Sequence, residues 1–285
     1  MLRIILSLAL GLALLPPVAS AADYGGPLID AHAHLPSAKA IHTYVDAMRR
    51  HNVRKVVLLG VGGIQKEDAE WIAAAARAYP DLVVPALPVP DPTRPDAAGQ
   101  LDVELARTKA RIMGEVHIRQ GSLKIDRHPG DSAFLDILQL GAQRGVPVVI
   151  HDDLTARGAA ALETALIAQP EAIVVLAHAG ESKPADLEKL LARNANLMVD
   201  LSGMHFQRTP ALATERGPLD RRWKTLIEKM PERFLMGLDV WTPALFEPAM
   251  LDRLFRWTRR ILGQLKPDTA ERVAWKNAAA LYRIE

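Results

Sequence analysis

The stretch Leu28-Ile29-Asp30-Ala31-His32-Ala33-His34-Leu35 forms the first predicted β-strand of the chain. Side chains of an extended strand alternate between its faces, so we expect Asp30, His32 and His34 to project to one side. Two imidazoles two residues apart can then bind one metal ion, because imidazole is the commonest neutral nitrogen ligand for zinc and similar metals. Two polar residues that are hydrogen-bonded at a strand terminus would give the same pattern, so the rest of the chain must decide.

Short apolar runs rich in Val, Ile and Leu alternate with longer segments of helical periodicity after Leu28, which is typical of strand–helix units and a parallel sheet. The predicted strands are 28–35, 55–61, 82–87, 112–118, 146–151, 172–178, 197–201 and 234–239. Amphipathic helices are predicted at 41–51, 68–79, 101–111, 133–144, 159–167, 185–193, 221–229 and 250–265. Eight such pairs in 285 residues predict an α/β protein with one (β/α)8 TIM-barrel domain. A further helix near 270–281 should pack on its outside.

Residues 1–21 have the pattern of a secretory signal peptide. An apolar run leads to Ala19-Ser20-Ala21, a small-residue cleavage site, and Pro16-Pro17 would end a helix that is already short for a membrane span. We therefore expect cleavage after Ala21, a mature domain of 22–285, and a periplasmic or secreted protein without stable membrane association. An uncleaved anchor is the alternative.

Charge and cysteine content exclude several classes of function. The chain holds 35 basic and 33 acidic side chains, and removal of the leader would take away one arginine. Such near-neutrality argues against nucleic acid as a partner and favours a small-molecule substrate. The chain has no cysteine, which excludes disulfides, thiolate ligands and a cysteine nucleophile. Homo-oligomerisation is left open.

Several other predicted strands also carry metal-ligand residue types near their C-terminal ends. Glu115 lies in strand 112–118, His151 and His178 end the fifth and sixth strands, and Asp239 ends the eighth. Active sites of TIM barrels lie at this end of the strands. Any one of these residues could be a hydrogen-bonded structural residue, but four of the nine histidines lie at such ends, which chance explains poorly.

With His32-x-His34 on strand one, His151 on strand five, His178 on strand six and Asp239 on strand eight, the pattern resembles the amidohydrolase superfamily of metal-dependent barrels. The resemblance covers nearly the whole mature chain. It implies that His32, His34 and Asp239 are ligands of the more buried metal. It further implies that His151 and His178 are ligands of a second metal, or a ligand and a substrate-polarising group in one-metal members.

The strand-four position bears on the number of metals. Many two-metal members have a carboxylated lysine there, whereas this chain has Glu115. Gly114-Glu115 is similar to the Gly-Glu of TatD-like deoxyribonucleases, whose Glu bridges metals, but the residues that follow differ. Asn277-Ala278 looks more like the broad amidohydrolase-related family, which also contains decarboxylases. The expected cofactor is one or two divalent metal ions per chain, with zinc as the first candidate.

This ligand set predicts a metal-dependent hydrolase. Imidazoles and carboxylates can hold a divalent ion with a position open for water, and the ion lowers the pKa of that water from ~15.7 to ~7. Asp239 would accept the proton and hand it to the leaving group. We expect an amide, ester or lactone substrate, since a deoxyribonuclease would need a basic groove. A decarboxylase of the same superfamily and a non-catalytic periplasmic binding protein on the same barrel are the alternatives.

Candidate substrate-binding residues lie in the loops. The loops after strands four and seven carry more basic than acidic side chains, Lys124 and Arg208 among them, which hints at an anionic substrate. His205 and Trp241 follow strand ends and are further candidates to line the pocket. Asp30 is a candidate acceptor that would orient an imidazole. Four other residues near strand ends each favour a structural or neutral role individually: His117, Asp153, Asp200 and Ser202.

Overall fold

The structure is a computed structural model that describes residues 22–61 and 65–284. The predicted signal peptide, residues 1–21, lies outside the described residues. The strands are β1 Leu28–Ala33, β2 Val53–Leu58, β3 Val83–Pro85, β4 Met113–Gln120, β5 Ile125–Asp126, β6 Val148–Asp152, β7 Val174–Leu176, β8 Leu197–Asp200 and β9 Phe234–Leu235.

The helices that follow the strands are α1 Ala40–Arg50, α2 Asp68–Ala78, α3 Ala97–Thr108, α4 Ser132–Arg144, α5 Ala156–Ala168, α6 Pro184–Arg193, α7 Arg221–Lys229 and α8 Pro248–Leu262. Two short helices, α9 Pro267–Glu271 and α10 Asn277–Tyr282, are joined by a π-helical turn. In α1 the buried residues Ile41, Tyr44, Val45 and Met48 follow the spacing of an amphipathic helix that packs on a sheet. Across the described ranges, no helix is both long and apolar enough to span a bilayer.

Strand pairing shows how the barrel closes. The strands pair in the orders β1-β2-β3 and β5-β4-β6-β7-β8-β9, all parallel except the short β5. Backbone bonds from Leu87 to Ile112 (2.8 Å) and from Gly114 to Leu87 (2.9 Å) join the segment after β3 to β4. The segment after β9 pairs with β1, since the Ala31 amide donates to Met236 and the Asp239 amide to His32. Eight parallel strands thus form the predicted (β/α)8 barrel.

The sequence pattern predicted that the C-terminal helix packs on the outside of the barrel. In the structure it packs against the barrel interior instead. Ala278 and Tyr282 of α10, with Ile284 after it, belong to the buried cluster that fills the barrel interior together with residues of the strands such as Ile29 and Val149. Tyr282 is fully buried. Because its chain end enters the ring of strands, this helix acts as a floor for the barrel.

The predicted alternation along β1 is wrong at Asp30. The register of β1 against β2 shifts between Asp30 and Ala33, so this part of the strand contains a bulge or irregularity. Asp30 accepts hydrogen bonds from the Tyr44 hydroxyl of α1 and from the Leu238 amide (2.8 Å). It therefore ties β1 to the helix layer and to the last strand segment, and does not orient an imidazole.

Six of the eight predicted strands end earlier than expected, and two of these differences bear on the site. β9 stops at Leu235, and Asp239 has a left-handed backbone with φ of 53°. β7 stops at Leu176 and continues into a tight turn in which His178 has φ of 55°. The functional candidates of both segments therefore lie just beyond the regular strand, where the backbone turns toward the barrel mouth.

We predict that Tyr44→Phe lowers the free energy of unfolding by about 1–3 kcal/mol, the cost of leaving a buried polar group without its donor. Tyr44 is fully buried and its hydroxyl is the donor to one carboxylate oxygen of Asp30. Tyr79→Phe is the matched control, because the Tyr79 hydroxyl bonds His42 at an exposed site. Chemical denaturation of both variants measures the difference, and equal losses would contradict the assignment.

Candidate metal centre

His32 of β1 and His34, just after β1, present their Nε2 atoms to each other at the mouth of the barrel. Nδ1 of His34 donates to the Leu59 carbonyl (2.9 Å), and Nδ1 of His32 donates to Asp200 (2.8 Å). Since a neutral imidazole has one donor and one acceptor nitrogen, both Nε2 atoms are then lone-pair acceptors. They lie 3.1 Å apart and both rings are buried. Two facing acceptors at this distance need a proton or a metal ion between them.

Glu115 lies at the centre of the site. Its Oε2 is 3.5 Å from Nε2 of His34 and 3.7 Å from Nε2 of His32. Its Oε1 is 3.1 Å from Nδ1 of His151 and 3.3 Å from Nε2 of His178. Nε2 of His117 is also 3.4 Å from Oε2. The two carboxylate oxygens therefore face two different sets of imidazoles, which is the arrangement that a bridging carboxylate has.

Gly114 makes the position of Glu115 feasible. Its φ is +136°, a value that residues with a side chain rarely adopt, and a Cβ there would lie 2.6 Å from the Val149 carbonyl oxygen. The Gly-Glu pair on β4 therefore reflects a steric requirement as well as a chemical one.

Asp239 faces the site from the other side of the barrel. Its Oδ1 is 3.5 Å from Nε2 of His34, and its Oδ2 is 3.8 Å from Nδ1 of His178. The left-handed backbone of Asp239 and of His178 costs energy that the surrounding structure must offset. Strained residues of this kind concentrate at functional sites.

The donor set fits a divalent metal ion. Three groups of buried donors have ligand atoms within 4.8 Å of one another: His32, His34 and Glu115; Glu115, His151 and His178; and His32, His178 and Asp239. In a tetrahedral site with bonds of about 2.0–2.1 Å, ligand atoms lie about 3.3–3.4 Å apart. The separations of 3.1–3.7 Å around Glu115 match that value. Nitrogen and oxygen donors suit zinc, manganese, iron and cobalt alike.

The electrostatics of the site also favour a cation. Burial lowers the pKa of His34, but hydrogen bonds with the Asp239 and Glu115 carboxylates raise it to about 9. Burial likewise lowers the pKa of His151, while Asp153 and Glu115 raise it to about 10. Burial raises the pKa of Asp239, yet the charge of His178 and the bond with His34 hold it well below its usual range. The buried carboxylates thus stay ionised and draw positive charge to the site, which a metal ion can supply as the imidazoles lose their protons.

A cavity of about 540 Å³ opens above these residues. Of the predicted substrate-binding residues, Arg208, His205 and Trp241 line it, and Trp241 is 54% exposed at the rim. The structure does not bring Lys124 to the cavity, since its exposed side chain is not part of the lining although Ser122 and Leu123 are. Burial lowers the pKa of His205 to about 4, so that this ring is neutral.

Arg208 forms an ion pair with Oδ2 of Asp239. A side chain at Gly203 would block this contact, because its Cβ would lie 2.6 Å from Nη1 of Arg208 and 2.9 Å from Oδ2 of Asp239. Gly203 has φ of +67°, so the backbone there also favours glycine. The loop after β8 therefore delivers a guanidinium directly to a candidate metal ligand.

The sequence analysis favoured a structural or neutral role for Asp200, but in the structure Asp200 contacts the site. Its Oδ2 accepts from His32, and its Oδ1 accepts from the backbone amides of His178 and Ser202, both at 3.1 Å. It thereby holds one candidate ligand ring and the backbone of another. Its place at the C-terminal end of β8, equivalent to that of His151 on β6, was the signal available in the sequence.

A barrel with buried imidazoles and carboxylates at its mouth defines a metal-dependent TIM-barrel protein. The sequence profile described as Amidohydrolase matches residues 29–284, nearly the whole described chain. The chain therefore belongs to the amidohydrolase family, whose members are metal-dependent enzymes. Comparison with curated proteins gives no match.

Solved structures share the fold at low sequence identity. An uncharacterised TIM-barrel protein from Bordetella bronchiseptica is 18% identical, with a TM-score of 0.69 over 90% of this chain and 98% of its own. A 2,6-dihydroxybenzoate decarboxylase in complex with 2,6-dihydroxybenzoate is 14% identical, with a TM-score of 0.64 over 91% and 99%. A dihydroxybenzoic acid decarboxylase from a Polaromonas species, with bound manganese and 2-nitroresorcinol, is 12% identical, with a TM-score of 0.60 over 91% and 97%.

We predict that Asp200→Asn weakens metal binding by about 10–100-fold, the scale for loss of a carboxylate that orients a ligating histidine. An amide group would have to turn its NH2 toward either His32 or the two backbone amides, all of which are donors. Titration calorimetry with Zn²⁺ and with Mn²⁺ measures the affinity. Asp46→Asn, which changes an exposed carboxylate on α1, serves as the control. Equal affinity in the two variants would show that Asp200 does not orient a ligand.

Proposed function

We propose that this protein is an exported metal-dependent hydrolase that cleaves an amide, ester or lactone bond of a small anionic substrate. The observation that carries the proposal is Glu115, whose two oxygens face two pairs of buried imidazoles beneath a cavity large enough for a small molecule. The shared carboxylate favours two ions, with His32, His34 and Asp239 around one and His151 and His178 around the other. Support for export is the signal-like pattern of residues 1–21.

When bound, divalent ions would supply Lewis-acid polarisation of the scissile carbonyl and of the attacking water. The protein supplies the proton acceptor. Asp239 is buried and ionised, and it lies at the foot of the cavity where Oδ1 faces the imidazoles of His32 and His34. This carboxylate would take a proton from the attacking water and return it to the leaving group, as a positioned acid–base does.

His178 is held in one orientation for its part in the site. Its Nδ1 donates to the Ser202 carbonyl at 3.0 Å, which leaves Nε2 directed at Glu115. In that orientation Nε2 can act as a metal ligand. In a site with one ion, the same nitrogen would instead be available to polarise the substrate carbonyl.

Arg208 supports an anionic substrate. Among the described residues that line the cavity, it is the one that carries a permanent positive charge. Its side chain is 29% exposed, so a substrate carboxylate can reach it from the cavity. Other lining residues are apolar or neutral, among them Leu123, Leu245 and Trp241, which suits the uncharged part of a small molecule.

Decarboxylation is the second candidate, because two solved relatives are decarboxylases of dihydroxybenzoates and one of them binds manganese. The two reactions differ in their products. A panel of esters, lactones, acylated amines and aromatic acids, assayed with Zn²⁺ or Mn²⁺, separates them: hydrolysis gives an acid and a leaving group, and decarboxylation gives carbon dioxide. An absence of turnover with every compound of the panel would favour a non-catalytic binding protein.

We predict that Asp239→Asn lowers kcat by a factor of ~1,000 or more on any substrate that the wild type hydrolyses. The change keeps the side-chain volume but removes a negative metal ligand and the proton acceptor together. Steady-state kinetics with added Zn²⁺ or Mn²⁺ measures the loss. Ordinary turnover by this variant would overturn the proposed role.

A chelator supplies the control for this variant. Bound metal stabilises the native state by about 2.7 kcal/mol when its concentration is 100 times Kd. Chelation should therefore lower the Tm of the wild type, whereas His32→Ala, which has already lost a ligand, should have a low Tm that the chelator barely changes. Wild type that contains no metal and has an unaltered Tm would contradict the metal centre itself.

We predict that Arg208→Gln raises KM for a substrate with a carboxylate more than for its neutral methyl ester. We expect kcat to fall on both substrates alike, because Arg208 also pairs with Asp239, whereas loss of the anion contact raises KM for the acid alone. Lys124→Gln is the matched control, since Lys124 follows the lining residue Leu123 in the chain but does not itself line the cavity. If both variants change KM equally, or the ester is affected as strongly as the acid, Arg208 does not bind the anion.

A further inference from the structure

The carboxylate of Asp153 accepts two hydrogen bonds, one on each of its oxygens. Its Oδ1 accepts from Nε2 of His151 at 3.0 Å, and its Oδ2 accepts from the backbone amide of Gly121 at 2.8 Å. A carboxylate has no donor when ionised, so Nε2 of His151 must carry the hydrogen. Nδ1 of the same ring is then the nitrogen that faces Glu115, at 3.1 Å.

Gly121 begins the short 3-10 turn Gly121–Leu123, which belongs to the cavity wall. Ser122 and Leu123 line the cavity directly behind Gly121. Asp153 is further anchored by its own backbone, whose amide donates to the Arg119 carbonyl at 3.0 Å. The Asp153 side chain therefore lies between a candidate metal ligand and the loop that lines the cavity.

We propose that Asp153 is a positioning residue that orients His151 for metal binding and couples the metal centre to the loop Gly121–Leu123. This inference rests on the proposed metal-dependent function. Fixing the imidazole by its outer nitrogen strengthens metal affinity, because the ring no longer has to be ordered when the ion binds. Because the second oxygen of the same carboxylate holds the loop, metal binding and loop order favour each other, and this coupling is reciprocal.

The first experiment measures metal affinity with Zn²⁺ and with Mn²⁺ by calorimetry on the purified protein. Asp153→Ala should weaken binding about 10–100-fold. Asp126→Asn is the control, since this exposed carboxylate on β5 follows the loop closely in sequence and has no side-chain hydrogen bond or ion pair within the part of the chain that the structure describes. Zn²⁺ should raise the unfolding midpoint of Asp153→Ala by less than it raises that of the wild type, a difference that a merely structural role would not give.

The second experiment tests whether one carboxylate serves both donors. In Asp153→Asn, one oxygen and one NH2 group must face two donors, Nε2 of His151 and the Gly121 amide, so metal affinity should fall although the side-chain volume is kept. Asp126→Asn, the same change at the exposed control position, should alter metal affinity less than about threefold.

The third measurement follows the coupling itself by hydrogen exchange. Adding Zn²⁺ should slow exchange of the backbone amides of the loop in the wild type but not in Asp153→Ala. Wild type that binds neither ion would defeat the proposed function. Wild type that binds metal, with unchanged affinity in Asp153→Ala and in Asp153→Asn, would overturn this inference alone.

Discussion

The site depends on the hydrogen bonds that close the barrel between its first and last strand segments. The Asp239 amide donates to the His32 carbonyl at 2.8 Å, and the His34 amide donates to Val240 at 2.9 Å. These bonds place a carboxylate from the end of the chain beside two imidazoles from its beginning. Asp30, which bridges β1, Tyr44 and Leu238, reinforces the same junction. Without closure, the donors of the proposed first ion would be more than two hundred residues apart along a flexible chain.

A second constraint is electrostatic. Glu115, Asp200 and Asp239 are all buried, and burying carboxylates is costly unless they are paired with positive charge or hydrogen-bond donors. Here the imidazoles, the guanidinium of Arg208 and backbone amides supply those partners. Such a cluster stabilises the fold less than apolar side chains of similar volume would, because those side chains would pack without any desolvation cost. The chain retains it at the mouth of a cavity, which is where a metal-dependent reaction needs it.

The surrounding contacts give each ring a defined orientation. Leu59, Asp200 and Ser202 accept from one nitrogen of His34, His32 and His178 respectively, and the other nitrogen faces the site. His151 is held in the same way but with its nitrogens exchanged, through Asp153. Loops that are not part of the regular barrel supply Arg208 and Trp241, so metal binding and substrate choice are built from different parts of the chain. The fold alone therefore does not decide the substrate.

The periodicity of apolar runs was enough to predict eight strand–helix pairs and the barrel. Strands that are buried on both faces have continuous apolar sequences, and helices that bury one face have amphipathic ones. The same reasoning predicted that His32, His34, Glu115, His151, His178 and Asp239 would gather, since ligand-type residues at strand ends share one end of a barrel. Their roles as ligands remain predictions.

Only the tertiary structure decided the rest. The register shift that turns Asp30 to Tyr44, the exclusion of Lys124 from the cavity, and the entry of Tyr282 into the barrel floor each depend on contacts between segments far apart in sequence. The same holds for Asp200 and Asp153, whose importance comes from the imidazoles that they contact. Local sequence indicates which face of a segment is buried, because apolar residues recur on that face. It does not indicate which distant side chain will contact that face.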